Sequence, residues 1–199
     1  NYPPMGYRNI GNRTHPIWQR YPAWDVPSLN GYEQNPALAD LDNDSDYDLC
    51  VGNELGPAAK FFENTGNVSL PIWTRKPEWD FSLGVDWPSP AFADLDDDGD
   101  YDLLFGSYTQ DYIAVWINNG TATSPSWFRS TAWEWDLIGL PSNYHKKPAV
   151  ADLDNDGDYD LMIGIGNHTD PPNSKIWAYE NTGNSPPDTV WIRKPEWDI

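Results

Sequence analysis

Residues 93–106 read ADLDDDGDYDLLFG, with six aspartates between Asp94 and Asp102. Like charges at that density repel one another unless something neutralises them. The stretch recurs as ADLDNDSDYDLCVG over residues 39–52 and as ADLDNDGDYDLMIG over residues 151–164. Pro36, Pro90 and Pro148 each open a copy with Pro-Ala-x-Ala, and Gly52, Gly106 and Gly164 close the apolar run after each loop. The loops begin at Asp40, Asp94 and Asp152, intervals of 54 and 58 residues. Self-similarity at such a period marks a repeat architecture.

Outward from each loop lies a second strand-like run: KFFENTG (60–66), AVWINNG (114–120) and KIWAYENTG (175–183). Its turn ends on Gly66, Gly120 or Gly183, where a positive φ is expected. Each unit then closes on two tryptophans six apart: Trp73 and Trp79, Trp127 and Trp133, Trp191 and Trp197. The first 25 residues repeat only this closing half, with Trp18 and Trp24 in register. Four short strands per unit is the arithmetic of a β-propeller blade. The expected fold is therefore all-β, with blades of four antiparallel strands. The units are a closing half over 1–25 and repeats over 26–80, 81–136 and 137–199, about three and a half in all.

Composition agrees. Twelve Trp, eleven Tyr, 19 Pro and 15 Gly in 199 residues favour short strands and tight turns, and helix is expected nowhere. Closed propellers typically need four or more blades. A missing opening half must come from residues outside this sequence, from another chain, or not at all.

The loop pattern is D-x-D-x-D-G-D-x-D. Oxygen ligands at positions one, three, five and nine, with a backbone carbonyl at seven, suit a hard cation wanting six or seven oxygens. Calcium tolerates this crowding, magnesium prefers a stricter octahedron, and zinc wants His or Cys, which the loops do not offer at ligand positions. The candidate metal residues are Asp40, Asp42, Asp44, Asp46 and Asp48; Asp94, Asp96, Asp98, Asp100 and Asp102; and Asp152, Asp154, Asp156, Asp158 and Asp160. That makes about three Ca²⁺ sites. Ser45 replaces the turn glycine in the first, which should be the weakest. Tyr47, Tyr101 and Tyr159 should pack as strand residues. The competing reading is a solvated acidic turn without metal.

These residues resemble the FG-GAP/VCBS-type calcium-binding β-propeller repeats, the class of the integrin α-subunit head, fungal propeller lectins and many secreted bacterial proteins. The resemblance covers nearly the whole chain and implies a propeller-type fold, calcium in the Asp loops and an extracellular or cell-surface location. It does not choose among adhesion, sugar binding and scaffolding.

The remaining signals exclude more than they assign. A net charge of −19 disfavours nucleic acid and acidic membranes. No run reaches the roughly 18 apolar residues of a membrane-spanning helix. The N-terminal stretch carries no signal-like apolar segment. Cys50 is alone and reads as a small buried hydrophobe. His15, His145 and His168 are scattered without a nucleophile motif, so no enzyme is expected. Sequons at Asn12, Asn43, Asn67, Asn119 and Asn167 suggest a glycosylated surface, with Asn43 inside a metal loop. The paired tryptophans fit a core layer, whereas Trp87 and Trp135 stand outside the pattern as candidate ligand contacts. The expected function is an extracellular, calcium-stabilised structural or adhesive module. It would self-associate or join another protein chain through open blade edges and form part of a larger or filamentous assembly. The alternative is a carbohydrate-binding propeller lectin.

Overall fold

Each aspartate loop is flanked by apolar runs, and both flanks become strands that pair back to back. The structure is a computed structural model that describes residues 4–27, 29, 34–53, 59–82, 84–121, 123–167, 174–183 and 190–199. His168 and the sequon residue Thr169 lie outside the described residues.

Blade one holds β3 (Asn35–Ala39), β4 (Asp48–Gly52), β5 (Ala59–Asn64) and β6 (Trp73–Arg75). Blade two holds β7 (Ser89–Ala93), β8 (Asp102–Gly106), β9 (Ala114–Asn118) and β10 (Trp127–Arg129). Blade three holds β11 (His145–Ala151), β12 (Asp160–Gly166), β13 (Lys175–Asn181) and β14 (Trp191–Arg193). All three are antiparallel meanders with the strands in chain order. A two-stranded sheet of β1 (Tyr7–Asn9) and β2 (Trp18–Arg20) precedes them as an isolated closing half. Pro36, Pro90 and Pro148 fall on the first strand of each sheet, an edge where a missing N–H is tolerated.

The blades pack face to face, and the first strands β3, β7 and β11 are successive neighbours. Between blades one and two lie Leu41, Cys50, Phe61 and Trp79 against Phe92, Leu103 and Phe105. Between blades two and three lie Leu95, Leu104, Val115 and Trp133 against Leu161, Ile163, Tyr179 and Trp191. Val26 and Leu29, following the half blade, pack on Leu49, Val51 and Phe62 of blade one. β4 and β8 are therefore buried at every position, because each is covered on both faces. Lys147 Nζ of β11 donates to Asn35 Oδ1 of β3 at 3.0 Å, tying the first strand of blade three to that of blade one.

The two ends of this stack differ from its middle. Leu153 is 48 % exposed, whereas its repeat equivalents Leu41 and Leu95 are 3 % and 6 % exposed. At the other end Leu38 is 54 % exposed, against 9 % for its equivalent Phe92.

Four expectations change. Helix does occur, as the single turn α1 (Thr131–Glu134), where Thr131 stands at the position of the prolines that open 3₁₀ turns at Pro22, Pro77 and Pro195. Gly66 and Gly120 do not have positive φ, although Gly183 does at 67°. They are glycine because a Cβ would stand 2.2 Å from Leu70 O or Ser124 O across the turn. Tyr47, Tyr101 and Tyr159 lie outside the strands: Tyr101 and Tyr159 pack against the inter-blade clusters, and Tyr47 is exposed. Among the paired tryptophans, Trp79, Trp133 and Trp191 are buried between blades, whereas Trp18 is exposed on the half blade.

Candidate metal centres

Each loop turns because two of its residues adopt the left-handed conformation. Position six does so as expected, with φ of 74° at Ser45, 91° at Gly99 and 107° at Gly157. Position four does so as well, at Asn43, Asp97 and Asn155. Asn and Asp are the non-glycine residues most at ease there, so this alternation was readable from the sequence but went unread.

The loop is then laced by its own carboxylates. In blade two the Asp94 oxygens accept from Asp98 N–H and Gly99 N–H at 3.2 and 3.0 Å. The Asp98 carboxylate accepts from Asp100 N–H at 2.9 Å. The buried Asp102 accepts from Leu95 N–H and, across to the next strand, from Asn118 N–H, both at 2.8 Å. Blade one repeats this with Asp40, Asp44 and Asp48. Blade three does so with Asp152, Asp156 and Asp160, except that Asp152 accepts from Asn155 N–H in place of the position-five N–H. The ninth position therefore anchors the loop to the strand beyond it through Asn64, Asn118 or Asn181.

Three carboxylates of each loop converge. Asp40, Asp42 and Asp48 bring one oxygen each to within 4.8 Å of one another, as do Asp94, Asp96 and Asp102, and Asp152, Asp154 and Asp160. These are positions one, three and nine. Asp44, Asp98 and Asp156 at position five are not in the clusters and bond backbone instead, and Asp46, Asp100 and Asp158 also stand outside them.

The donor set is all oxygen and anionic, which suits a hard divalent cation. Burial adds a second sign. Asp42 Oδ1 and Asp46 Oδ1 are buried without a hydrogen-bond partner, an arrangement that is costly for a carboxylate unless something else satisfies it. Burial pushes the Asp48 and Asp102 carboxyls up to about 7, only partly offset by their two backbone N–H donors. Burial and the neighbouring Asp44 raise Asp42 to about 6. The loops also crowd one rim: the first two share a cleft of about 340 Å³ between Asp40, Asp46, Gly99 and Asp100. A bound cation in each would relieve all of these penalties together.

Elsewhere the candidates separate. Trp135 is 59 % exposed, while Trp87 is half-buried in a cluster with Tyr108 and His145 at φ 51°. Asn12, Asn43, Asn67 and Asn119 are exposed, and the Asn167 amide donates to Asn143 O at 2.8 Å. Cys50 is fully buried, which raises its thiol pKa well above the usual range.

One repeated device escaped the reading of the sequence. Each closing half carries a basic residue five places before an acid: Arg20 with Asp25, Arg75 with Asp80, Arg129 with Glu134 and Arg193 with Asp198. The acid accepts the Arg and also a backbone N–H, from Phe61, Val115 or Ala178 of the neighbouring strand or, in the half blade, from Gly6 just ahead of β1. The fourfold recurrence of that spacing was the available signal.

No curated protein and no solved structure matches the chain. Residues 40–105 and 94–163 each match the FG-GAP-like repeat, so the match begins on the first loop aspartate and runs to the post-loop strand of blade three. With loop geometry, blade order and sequence match pointing the same way over more than half its length, the chain belongs to the FG-GAP-like repeat family.

Proposed function

We propose that this propeller-type repeat module is an extracellular, calcium-stapled structural or adhesive protein that acts by binding and assembly, not by catalysis. The observation that carries the reading is the threefold convergence of carboxylates at positions one, three and nine. Residues Asp40, Asp42 and Asp48, and their equivalents in the other two loops, would hold the ions. Bound calcium would supply charge neutralisation and lock each loop to the strand beyond it. The exposed blade ends at Leu38 and Leu153 support a partner chain, and the exposed sequons at Asn12 and Asn67 support an extracellular setting.

Calorimetric titration with calcium tests it. About three ions should bind, and the melting temperature should exceed that in chelator. Asp96→Ala removes one converging carboxylate from an exposed side chain and should erase part of the calcium-dependent gain while leaving the melt in chelator unchanged. Absence of binding heat, or an equal loss in both conditions, overturns the metal assignment.

Trp135 favours a second reading, since an exposed indole can stack on a sugar ring. That lectin reading predicts a change in tryptophan fluorescence with some saccharide that Trp135→Ala abolishes. Silence across a broad glycan panel removes it.

A further inference from the structure

The half blade leaves a defined gap. In blades one to three the third strand is paired on both sides, β5 by β4 and β6, β9 by β8 and β10, β13 by β12 and β14. β1 is its equivalent in the half blade, because Asn9 accepts from Gly11 and Ile17 N–H as Asn64 does from Gly66 and Ile72. Among the described residues β1 pairs only with β2. Its other edge is an open ladder of backbone donors and acceptors.

Beside that edge lies a largely apolar cleft of about 460 Å³, walled by Met5, Tyr7, Pro36, Leu38, Tyr47 and Leu49. Three of these residues are exposed where their repeat equivalents are covered. Leu38 is 54 % exposed against 9 % for Phe92; Pro36 is exposed, whereas Pro90 and Pro148 are buried; Tyr47 is exposed, whereas Tyr101 and Tyr159 are half-buried. In the other blades the opening half of the preceding blade does the covering. Gly52 and Gly106 show how closely: a Cβ there would stand 2.1 Å from Pro88 O, just ahead of β7, and 1.9 Å from Lys146 O of β11. The outer part of the preceding blade is already in place, since Trp73 Nε1 donates to Trp24 O at 3.0 Å and Val26 packs on blade one.

We infer that the cleft between β1–β2 and β3 is a docking site for an opening-half hairpin of the same repeat type. This hairpin would be a Pro-Ala-x-Ala strand, an aspartate loop and an apolar strand ending in glycine. Its second strand adds to the open edge of β1, and its apolar face covers Leu38, Tyr47 and Pro36. The occupant is fixed by continuity with the two interfaces inside the molecule, where the same kind of hairpin meets the same faces of blades two and three. The inference rests on the propeller-type reading of the repeats and deepens it by naming the partner.

The test supplies the hairpin in cis. Residues 88–109, the opening half of blade two with the three residues that follow, are fused ahead of residue 1. Six residues then separate Gly106 from Pro4, which stands five before Asn9 as Ala59 stands five before Asn64, matching the six residues between β4 and β5. In calcium the fusion should melt about 5 °C or more above the parent chain, and the added hairpin should resist protease. Leu38→Asn should shift the parent by about 1 °C or less, because the side chain is already exposed, and should remove most of the gain in the fusion. A fusion with no gain and a digestible hairpin overturns the inference, as does a gain that Leu38→Asn leaves intact. A parent dimer that Leu38→Asn dissociates, alongside a fusion without gain, overturns it in favour of a second copy of the chain. A gain in a fusion that binds no calcium would remove the metal proposal and leave the docking site standing.

Discussion

Ser45 holds φ of 74° without the benefit of glycine, in a loop where Asn43 is left-handed as well. Left-handed backbone costs about 1–2 kcal/mol per non-glycine residue, and the lacing of the Asp40 and Asp44 carboxylates to nearby N–H groups offsets it. The same loops set a pH dependence. Asp48 and Asp102 rise from 3.8 to about 7 in the folded, metal-free chain because burial penalises their ionised forms. The native state therefore holds these protons more tightly than the unfolded chain does. That contribution to stability is complete below about pH 4 and is lost as pH rises through about 7. In chelator the melting temperature should fall between pH 5 and pH 8. In calcium, protons compete with the ion for the same oxygens, so stability should fall in the opposite direction, as pH is lowered. Thermal melts across that range decide it; slopes of the same sign in both conditions would remove the loops as the metal sites.

The element that recurs most faithfully is the closing half. A three-residue strand carries little stability of its own, and here the chain after it is folded back by a one-turn helix and pinned by an Arg-acid pair. In blade one, Arg75 donates to Asp80 Oδ1 at 2.9 Å and to Phe61 O at 3.0 Å, and Asp80 accepts Phe61 N–H at 3.2 Å. The guanidinium thus fastens β6 to β5 and to the turn that follows. Because the pair is partly exposed, with 31 % and 13 % of the two side chains accessible, its coupling falls below that of a buried pair. Arg75→Ala and Asp80→Ala combined in a double-mutant cycle should show coupling of about 1–2 kcal/mol in urea unfolding. A value near zero would make the clamp a surface ion pair without structural weight.

At the scale of the whole molecule, stability comes from faces, and each blade needs a neighbour. Gly52, Gly106 and Gly164 occupy one repeat position, yet their surroundings differ. A Cβ at Gly106 would lie 1.9 Å from Lys146 O, whereas at Gly164 the nearest atom among the described residues is Lys147 O at 3.7 Å. A cleft of about 620 Å³ opens there, bordered by His145, Lys147, Ile165 and Lys175. Gly106→Ala should destabilise by more than about 2 kcal/mol, because backbone must move. Gly164→Ala should change stability by no more than about 0.5 kcal/mol. Equal losses in chemical unfolding would mean that the far face of blade three is covered in solution.

Much of this was legible in the residue string. Short apolar runs beside a tripled aspartate loop, each unit entered by Pro-Ala and each run left by glycine, determine the strands, their antiparallel order and the repeat count, because those features are local in the chain. The ligand-type residues were legible for the same reason: Asp40, Asp42 and Asp48 lie within nine residues of one another. Tertiary structure alone decided which carboxylates converge, since Asp44 and Asp46 have the same chemistry and only the turn geometry sends them elsewhere. It also decided that Gly66 is glycine for want of space and not for its φ, which depends on a carbonyl across the turn. Above all it decided which apolar faces are covered. Leu95 and Leu153 are the same residue in the same motif, and only the presence of a packed blade beyond one and not the other separates a core residue from an exposed one.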